Sequence, residues 1–496
     1  MAAMMRTKPV HQSIADTEHP EHRLKKDLGA LDLTVFGVGV TIGAGIFILT
    51  GRAAATSAGP AVSVSFLIAA VTCGLAALCY AELASSIPVA GSAYTFTYAS
   101  VGEVVAWVIG WDLVLEFTVG AAAVAAGWSA YLAEFLEGTP LELPASVASV
   151  ETGAVNLPAG LLVLLLTGVL IVGIKLSSRV NQVVVAIKVG IVLFVIVAGA
   201  FYVKAVNYTP FVPPQEPASA SDEGFLHTPL IQSIFGLEPA VYGWAGVVTA
   251  AAIVFFAFIG FDVVATTAEE VRRPQRDLPL GIIGALVLCT LLYGGVALVI
   301  TGMQSYTEID PEDAAPLSTA FTAVGQDGYA DIIALGAIVG LVVVVMILLL
   351  GQTRVLFAMA RDGLLPQGLA RVHPRYRTPY VITALVGVVV AVIATFTGIG
   401  ALAELVNVGT LFAFILVSIA VIVLRRTDPD LPRSFRVPLV PLVPVVSVLA
   451  CLYLMLNLTG LTWMRFLVWM LIGVLVYAFY GSRRSRLATG EPVRTS

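Results

Sequence analysis

The stretch DLTVFGVGVTIGAGIFILTG, residues 32–51, is long enough to span a membrane but unusually rich in glycine for a continuous helix. Four glycines fall within residues 37–45, and each glycine inside a helix costs about 1 kcal/mol relative to alanine. Close packing against a neighbouring helix through small residues is the alternative explanation. The density at mid-span predicts an apolar helix that is interrupted at Gly43-Ala44-Gly45.

A second apolar stretch, IVFFAFIGFDVVATTAEE at residues 253–270, carries Gly260 and Asp262 at a comparable depth. Interrupted helices in corresponding positions of two halves indicate the binding site of a secondary transporter. Since five predicted spans precede the second interruption, the halves are expected to be five-helix repeats with opposite orientations. Irregular backbone at this depth is tolerated where it lines a cavity.

The composition places the chain in a membrane. Of its 496 residues, 58% are hydrophobic and 12% are charged, and the mean hydropathy is +0.94, whereas soluble domains are typically about 25% charged. The expected fold class is an all-α polytopic membrane protein: an inverted five-helix repeat (the 5+5 transporter fold) plus two extra C-terminal helices. At about 20 apolar residues per span, the twelve predicted transmembrane helices are 31–51, 61–85, 103–133, 158–176, 180–203, 246–266, 279–303, 330–353, 380–398, 402–424, 437–458 and 462–480.

The basic residues predict the orientation. With the N-terminus in the cytoplasm, 23 of the 27 lysines and arginines lie in cytoplasmic segments, three lie in outer loops, and the remaining one is Lys188. Both termini are therefore expected in the cytoplasm, and the plasma membrane is the expected location. The predicted domains are a cytoplasmic tail (1–28), a first repeat (29–203), an extracellular loop (204–245), a second repeat (246–424), two C-terminal helices (425–480) and a cytoplasmic tail (481–496).

The interrupted helices also predict the kind of ligand. A half-helix N-terminus exposes amides that attract a carboxylate, and a half-helix C-terminus exposes carbonyls that accept hydrogen bonds from an ammonium group. A site that supplies both suits a zwitterion, and the obvious zwitterion is an α-amino acid.

Five stretches, in order through the first ten spans, carry a resemblance to a known family. They are GVGVTIGAGIF (37–47), YAELASSIPVAGSAYTFTYASVGE (80–103), FFAFIGFD (255–262), EEVRRPQRDLPLGI (269–282) and GQTRVLFAMARDGLLP (351–366). They resemble the amino acid–polyamine–organocation superfamily, and within it the bacterial branch of the cationic amino acid transporter family. The fold of that family is the inverted five-helix repeat.

The resemblance implies a set of substrate-binding residues. The substrate carboxylate would bind the amides of Gly43, Ala44 and Gly45, and its ammonium would bind carbonyls near Thr41, Phe256, Ala257 and Ile259. Phe256 or Phe258 would form an aromatic gate on the outer side, although ordinary core or lipid packing also explains these rings.

Lys188 is the one charge within VNQVVVAIKVGIVLFVIVAGAFYV, residues 180–203. A lysine near the centre of a bilayer costs roughly 2.5–3.5 kcal/mol, so its presence requires a reason. The resemblance implies that Lys188 is a proton-coupling cation beside the first break, where sodium-coupled relatives bind sodium; snorkelling to the cytoplasmic surface is the alternative. Asp262, beside the second break, is the other candidate for proton coupling. Residues 333–351 contain no serine or threonine, which disfavours a sodium site.

The side-chain specificity stays open between two classes. Met346, in the eighth span, would narrow the pocket and favour small neutral substrates such as alanine. Glu116, in the third span, would place an anion at the pocket and favour arginine or lysine.

The predicted function is proton-coupled import of L-amino acids by a secondary active transporter, with alternating access around the two broken helices. The alternatives are an obligate amino acid exchanger and an amino acid sensor on the same fold. No enzyme is expected, since all five histidines lie in tails or loops and the zinc-protease and nucleophile-elbow motifs are missing. No cofactor, metal or nucleic acid is expected. The expected partners are the amino acid, the proton and the lipid bilayer, and a small single-span membrane partner is left open.

Overall fold

The computed structural model describes residues 28–87, 92–150, 153–173, 178–217, 226–236, 240–261, 263–264, 267, 271–433 and 435–485. Its helices are α1 (Ala30–Thr41), α2 (Thr50–Ala53), α3 (Val62–Ser86), α4 (Ser92–Ser100), α5 (Glu103–Leu136), α6 (Ala145–Ala148), α7 (Leu157–Val172), α8 (Ser178–Gly199), α9 (Leu230–Phe235), α10 (Gly243–Val254), α11 (Pro274–Met303), α12 (Pro316–Thr322), α13 (Asp327–Arg361), α14 (Tyr380–Phe396), α15 (Ile399–Thr427), α16 (Leu442–Leu456), α17 (Gly460–Val476) and α18 (Ser482–Arg484). The short strands are β1 (Val155–Asn156), β2 (Glu216–Pro217) and β3 (Ala240–Val241), of which β2 and β3 pair antiparallel.

Tighter and wider helical turns join several of these elements. Turns of 3-10 helix lie at Gly59–Ala61, Ala200–Tyr202, Ala205–Tyr208, Phe255–Phe258 and Gln367–Ala370, and π-helical turns lie at Gly45–Leu49, Ala54–Ala58 and Tyr477–Gly481. Such turns often mark functional positions within a helix. Two of them, Gly45–Leu49 and Phe255–Phe258, lie at the predicted interruptions.

The apolar helices account for every predicted span. Seven helical runs within the described residues are long and apolar enough to cross a membrane: Gly45–Ser86, Glu103–Leu136, Gln182–Tyr202, Pro274–Met303, Asp327–Arg361, Ile399–Thr427 and Gly460–Arg484. Five shorter apolar helices accompany them: Ala30–Thr41, Leu157–Val172, Gly243–Phe258, Tyr380–Phe396 and Leu442–Leu456. The prediction of an all-α polytopic membrane protein is confirmed.

Local signals fix where individual helices start and stop. The Asp32 carboxylate accepts a hydrogen bond from the Gly29 amide at 3.0 Å and caps α1. At α7, the Asn156 side chain accepts from the Ala159 amide at 3.2 Å, and the helix ends at Gly173, whose φ of +78° suits glycine.

The helices pack in a pattern that is symmetric when the two repeats are exchanged. Helix α1 packs on α11, and its counterpart in the second repeat, α10, packs on α3. In the same way, α8 packs on α13, and its counterpart α15 packs on α5. Helices α3 and α11, α5 and α13, and α7 and α14 each pack against their own counterpart. This is the arrangement expected of an inverted five-helix repeat. Helices α16 and α17 lie outside it, where both contact α15.

Candidate functional site

Both predicted interruptions lie in the middle of the molecule. Helix α1 ends at Thr41, the next residue, Ile42, is extended (φ −70°, ψ 90°), and helical structure resumes around Gly45. In the second repeat, the turn Phe255–Phe258 is followed by Ile259, which is extended at φ −65° and ψ 136°. Gly260 then has a φ of +117°, a conformation that glycine adopts readily and residues with a side chain avoid.

The two breaks pack directly on each other through glycine. A Cβ atom placed on Gly45 would lie 2.2 Å from the Cα of Ala257. In the reverse direction, a Cβ on Gly260 would lie 3.2 Å from the carbonyl carbon of Val40 and 3.3 Å from the amide nitrogen of Thr41. Each broken helix therefore brings its backbone against the other, which requires glycine at both positions.

A small cavity of about 30 Å³ lies at this crossing, and we refer to it as the central cavity. Seven of the residues predicted to bind substrate line it: Thr41, Gly43, Ala44, Gly45, Glu116, Phe256 and Ile259. The rest of its wall is Val40, Gly120, Val124, Gly260, Val344, Leu348 and Val406. A single water needs roughly 10–15 Å³ on this measure, so the wall must move apart to admit an amino acid.

The two phenylalanines proposed for the gate occupy different places. Phe256 lines the central cavity. Phe258 is fully buried and packs edge-on against Tyr293 and Phe66, with ring centroids 5.2 Å and 6.3 Å apart. Of the two rings, Phe256 is the one positioned to close the cavity.

Three other predicted residues lie away from the cavity wall or outside the described residues. Ala257 packs under Gly45 and is not among the lining residues. Met346 is buried on α13, but Val344 and Leu348 are the residues of that helix that line the cavity. Met346 lies two residues from each of them. At about 100° per residue, or 3.6 residues per turn, it therefore points to nearly the opposite side of the helix from the cavity. Asp262 lies outside the described residues.

Lys188 is fully buried and is attached to the first break. Its Nζ donates a hydrogen bond to the carbonyl of Ile42 at 3.0 Å and another, short one to the carbonyl of Gly39. The aliphatic stem crosses Gly340 of α13, where an added Cβ would lie 2.7 Å from the Lys188 Cγ. The ammonium group thus satisfies carbonyls that the end of α1 leaves without intrahelical partners.

Asn407 holds the second broken helix in a similar way, and sequence reasoning missed it. Its Nδ2 donates to the carbonyls of Ala252 and Ile253 at 2.8 Å and 3.0 Å, and the side chain is fully buried. Helix α15, which carries Asn407, is the counterpart of α8, which carries Lys188. An asparagine inside an apolar span was the available signal, because polar groups at this depth require partners.

Tyr293 is a second residue that the sequence reasoning missed. Its hydroxyl donates to the carbonyl of Thr41 at 2.8 Å, one of the carbonyls predicted to receive the substrate ammonium. The tyrosine is fully buried on α11 and therefore braces the end of α1.

Two carboxylates on α5 lie one turn apart in the core. Glu116 lines the central cavity on the same helix face as Gly120 and Val124. Asp112 is fully buried one turn earlier against Gly409, where an added Cβ would lie 2.9 Å from its Oδ1. Neither oxygen of Asp112 has a hydrogen-bond partner among the residues that the structure describes.

A wider cavity of about 250 Å³, which we call the vestibule, lies close to the central cavity at the end of the molecule where α15 begins. Three segments line both cavities at neighbouring positions. The vestibule is lined by Leu49, Ile253 and Asn407, and the central cavity is lined by Gly45, Phe256 and Val406. The barrier between the two cavities is therefore about one helical turn thick, ~5.4 Å. Phe256 lies within that barrier.

The sequence profile of the family described as amino acid permease matches residues 28–483. The chain belongs to the amino acid permease family. The resemblance to the amino acid–polyamine–organocation superfamily is thereby confirmed, and so is the prediction that the protein is not an enzyme. This permease is a multi-pass membrane protein, and amino acid transport is the function that its family supports.

Relatives of this permease match along almost its entire length. It is 45% identical over 491 residues to the methylthioribose transporter of Bacillus subtilis (strain 168), covering 98% of this chain and 100% of the relative. It is also 45% identical over 492 residues to the branched-chain amino acid permease BcaP of the same organism, covering 98% and 99%. It is 40% identical over 434 residues to the vacuolar cationic amino acid transporter 4 of Arabidopsis thaliana, covering 87% of this chain and 68% of the relative.

Proposed function

We propose that this permease imports L-amino acids across the plasma membrane by proton-coupled alternating access around its two broken helices. Gly43, Ala44 and Gly45, where helical structure resumes after the first break, would bind the substrate carboxylate. The nearby carbonyls of the second break would accept hydrogen bonds from the ammonium group. Both breaks line the central cavity, which supports this assignment. The amides and carbonyls at half-helix ends complement the carboxylate and the ammonium group of the substrate without burying a fixed ion.

The contact of Lys188 with the first break is the observation that carries the proton-coupled mechanism. A charged ammonium group donates to the carbonyls of Gly39 and Ile42 and holds the end of α1 in this position. A neutral amine is a much weaker donor, since charge-assisted hydrogen bonds are roughly twice as strong. Loss of the proton from Lys188 would therefore release the end of α1 and let the broken helix move. Asp262 stays a candidate for the second protonatable group.

The vestibule would open to the cell exterior, and both termini would lie in the cytoplasm. The end of the molecule opposite the vestibule holds Arg425 and Arg433, the basic residues that bind Glu82. A cytoplasmic position for this end agrees with the excess of basic residues in cytoplasmic segments of membrane proteins. Phe256 would then close the central cavity from the outside.

The cavity wall favours a small or branched apolar side chain. Beyond the two breaks, the wall is formed by Glu116 and by five apolar residues, Gly120, Val124, Val344, Leu348 and Val406. The printed name of the BcaP relative, a branched-chain amino acid permease, agrees with such a wall. Glu116 is the acidic residue at the cavity and keeps cationic substrates within the proposal.

Uptake into proteoliposomes tests the proposal. Tritiated alanine, leucine, valine and arginine, with labelled methylthioribose, would be offered to wild type and to Lys188→Ala, with and without an inward proton gradient. We expect wild type to accumulate at least one of the amino acids under the gradient, and Lys188→Ala to lose this dependence because the cation at the first break is gone.

Other results would contradict parts of the proposal. Uptake that needs preloaded amino acid and ignores the gradient would identify an obligate exchanger, with Lys188 as a structural cation. Uptake of methylthioribose without any amino acid would refute the substrate class. An alanine substitution at Lys204, an exposed lysine on a loop, is the matched control for loss of a lysine and should transport like wild type.

A further inference from the structure

We propose that Asp112 is a proton-dependent latch: the inner half of the permease closes only when this carboxyl group has bound a proton from the cytoplasmic side. The inference rests on the proposed function, whose orientation it uses, and adds control of the transport cycle by the pH of the cytoplasm. Asp112 is fully buried on α5. It lies one helical turn, ~6 Å along the axis, from Glu116 at the central cavity.

The surroundings of Asp112 favour a neutral carboxyl group in this closed state. Its Oδ1 lies against the backbone of Gly409 on α15, where an added Cβ would be 2.9 Å away. Within the described residues, neither carboxyl oxygen has a hydrogen-bond partner. An ionised carboxylate that is buried without a donor or a counter-charge is strongly unfavourable. Asp112 therefore holds its proton here.

Asp112 lies on the cytoplasmic side of the central cavity. Helices α5 and α15 run antiparallel, because Gly120 faces Val406 with a Cβ distance of 3.9 Å while Asp112, earlier on α5, faces Gly409, later on α15. Gly120, Glu116 and Val406 line the cavity. Since α15 begins at the vestibule, the contact of Asp112 with Gly409 is displaced from the cavity toward the opposite end of the molecule.

Helix α4 closes the path from the cytoplasm to Asp112. A Cβ on Gly110, two residues before Asp112, would lie 3.0 Å from the Tyr94 ring. The hydroxyl of Tyr94 donates to Asp362, after α13, at 2.8 Å, and Tyr98 stacks on Tyr94 with ring centroids 5.8 Å apart. These contacts join α4, α5 and α13, so water reaches the carboxyl group only after the helices around it move apart.

No nearby cation takes the place of the proton. Helix α15 carries no ionisable residue between Glu404 and Arg425, so it presents none to Asp112. Tyr94 binds Asp362, and Tyr477 donates to Glu103 at 3.0 Å. The ionisable groups placed along the inner half of α5 are Tyr94, Tyr98, Asp362, Tyr477, Glu103 and Glu116. All six are acids or phenols.

The remaining helices packed on α5 place their ionisable groups elsewhere. Arg354 and Arg361 of α13 and Arg465 of α17 are exposed. Helix α7 carries none, and the one on α14, Tyr380, packs edge-on against His373 with ring centroids 5.4 Å apart. The bound proton is therefore what neutralises Asp112.

Closure of the inner half thus takes up one proton. When that half is open, water solvates Asp112, and a solvated aspartate is ionised at neutral pH. Before the helices close, the carboxylate accepts a proton from cytoplasmic water and forms an O–H bond. Because the closed state holds one proton more than the open state, each rise of one pH unit disfavours closure by up to about tenfold. An alkaline cytoplasm would hold the permease open inward.

Exchange at equal pH on both sides of the membrane tests the latch, since exchange needs no proton gradient. Proteoliposomes loaded with unlabelled leucine, alanine or arginine would be offered the same amino acid in tritiated form. Asp112→Asn, which stays neutral, should exchange faster than wild type as the pH rises. We expect the ratio of the two rates to increase by up to about tenfold per pH unit, because only wild type must bind a proton to close. Asp112→Val should behave like Asp112→Asn.

A matched control and three outcomes decide the test. Asp430→Asn removes an exposed aspartate from the loop after α15 and should follow wild type at every pH. A ratio that does not change with pH would overturn the latch and leave the proposed function standing. Loss of exchange at every pH in both Asp112→Asn and Asp112→Val would assign the carboxyl group to the fold alone and would also overturn it. If wild type exchanges none of the three probes, the proposed function fails as well.

Discussion

Gly340→Ala on α13 is the substitution with the sharpest expected effect. An alanine Cβ at this position would lie 2.7 Å from the Cγ and 3.1 Å from the Cδ of Lys188. The lysine stem cannot swing aside, because its Nζ is attached to the carbonyls of Gly39 and Ile42. Overpacking of this kind typically costs 1–3 kcal/mol, so we expect the free energy of unfolding to fall by about 2 kcal/mol.

A double-mutant cycle assigns the cost to Lys188. Lys188→Ala alone leaves two buried carbonyls without their donor, and an unsatisfied buried group costs roughly 1–3 kcal/mol. It also removes the stem that an alanine at position 340 would touch. The double variant should therefore be about as stable as Lys188→Ala alone, with a coupling energy of about 2 kcal/mol between the two sites.

Reversible unfolding in mixed micelles, followed by tryptophan fluorescence, would measure the four stabilities. Gly328→Ala is the matched control, since a Cβ on Gly328 of the same helix meets no atom within 4 Å. Because alanine favours helix over glycine, this variant should be at least as stable as wild type. If Gly340→Ala were as stable as wild type, or lost the same stability with and without Lys188, the fixed position of the lysine would be refuted.

Three further substitutions test the crossing, the cavity wall and the end opposite the vestibule. Gly45→Ala should abolish folded protein in size-exclusion chromatography, because its Cβ would lie 2.2 Å from the backbone of Ala257, and recovery of a monodisperse protein would contradict the tight crossing. Gly120→Ala should fold, since its Cβ would be no closer than 3.7 Å to any neighbour. Because Gly120 lines the cavity, the added methyl group should reduce uptake of the larger leucine more than uptake of alanine. Equal effects on both substrates would place position 120 away from the substrate side chain. Glu82→Gln should lower the free energy of unfolding by about 2–3 kcal/mol, somewhat less than the loss of a partner from a fully buried ion pair. The reason is that Glu82 is 2% exposed but its partner Arg425 is 26% exposed. An unchanged stability in a chemical unfolding titration would contradict this.

Much of the architecture was predictable because partition into a membrane depends on local composition. A run of about 20 apolar residues is enough to form a span, and each of the twelve predicted spans overlaps an apolar helix of the structure. Glycine density indicated the two breaks for an equally local reason, since glycine disfavours helix. The sequence also singled out Lys188, because a charge in an apolar span is costly wherever the helix packs.

The orientation of individual side chains was less predictable. Residues 333–351 are apolar all round, so the pattern of α13 does not indicate which face points to the cavity. The sequence reasoning chose Met346, whereas Val344 and Leu348 line the cavity. Phe256 and Phe258 posed the same difficulty, because a 3-10 turn and not an α-helix sets their directions.

Local composition thus establishes that this chain is a helical membrane protein with two interrupted helices and a lysine within an apolar span, because each of these properties depends on a short stretch of residues. Three contacts became apparent from the folded chain and not from its sequence: Gly45 meets Ala257, Asn407 holds the second broken helix as Lys188 holds the first, and Arg52 and Glu404 line the same vestibule. Such contacts join segments up to hundreds of residues apart. They depend on how helix surfaces fit together in three dimensions, which apolar periodicity does not record.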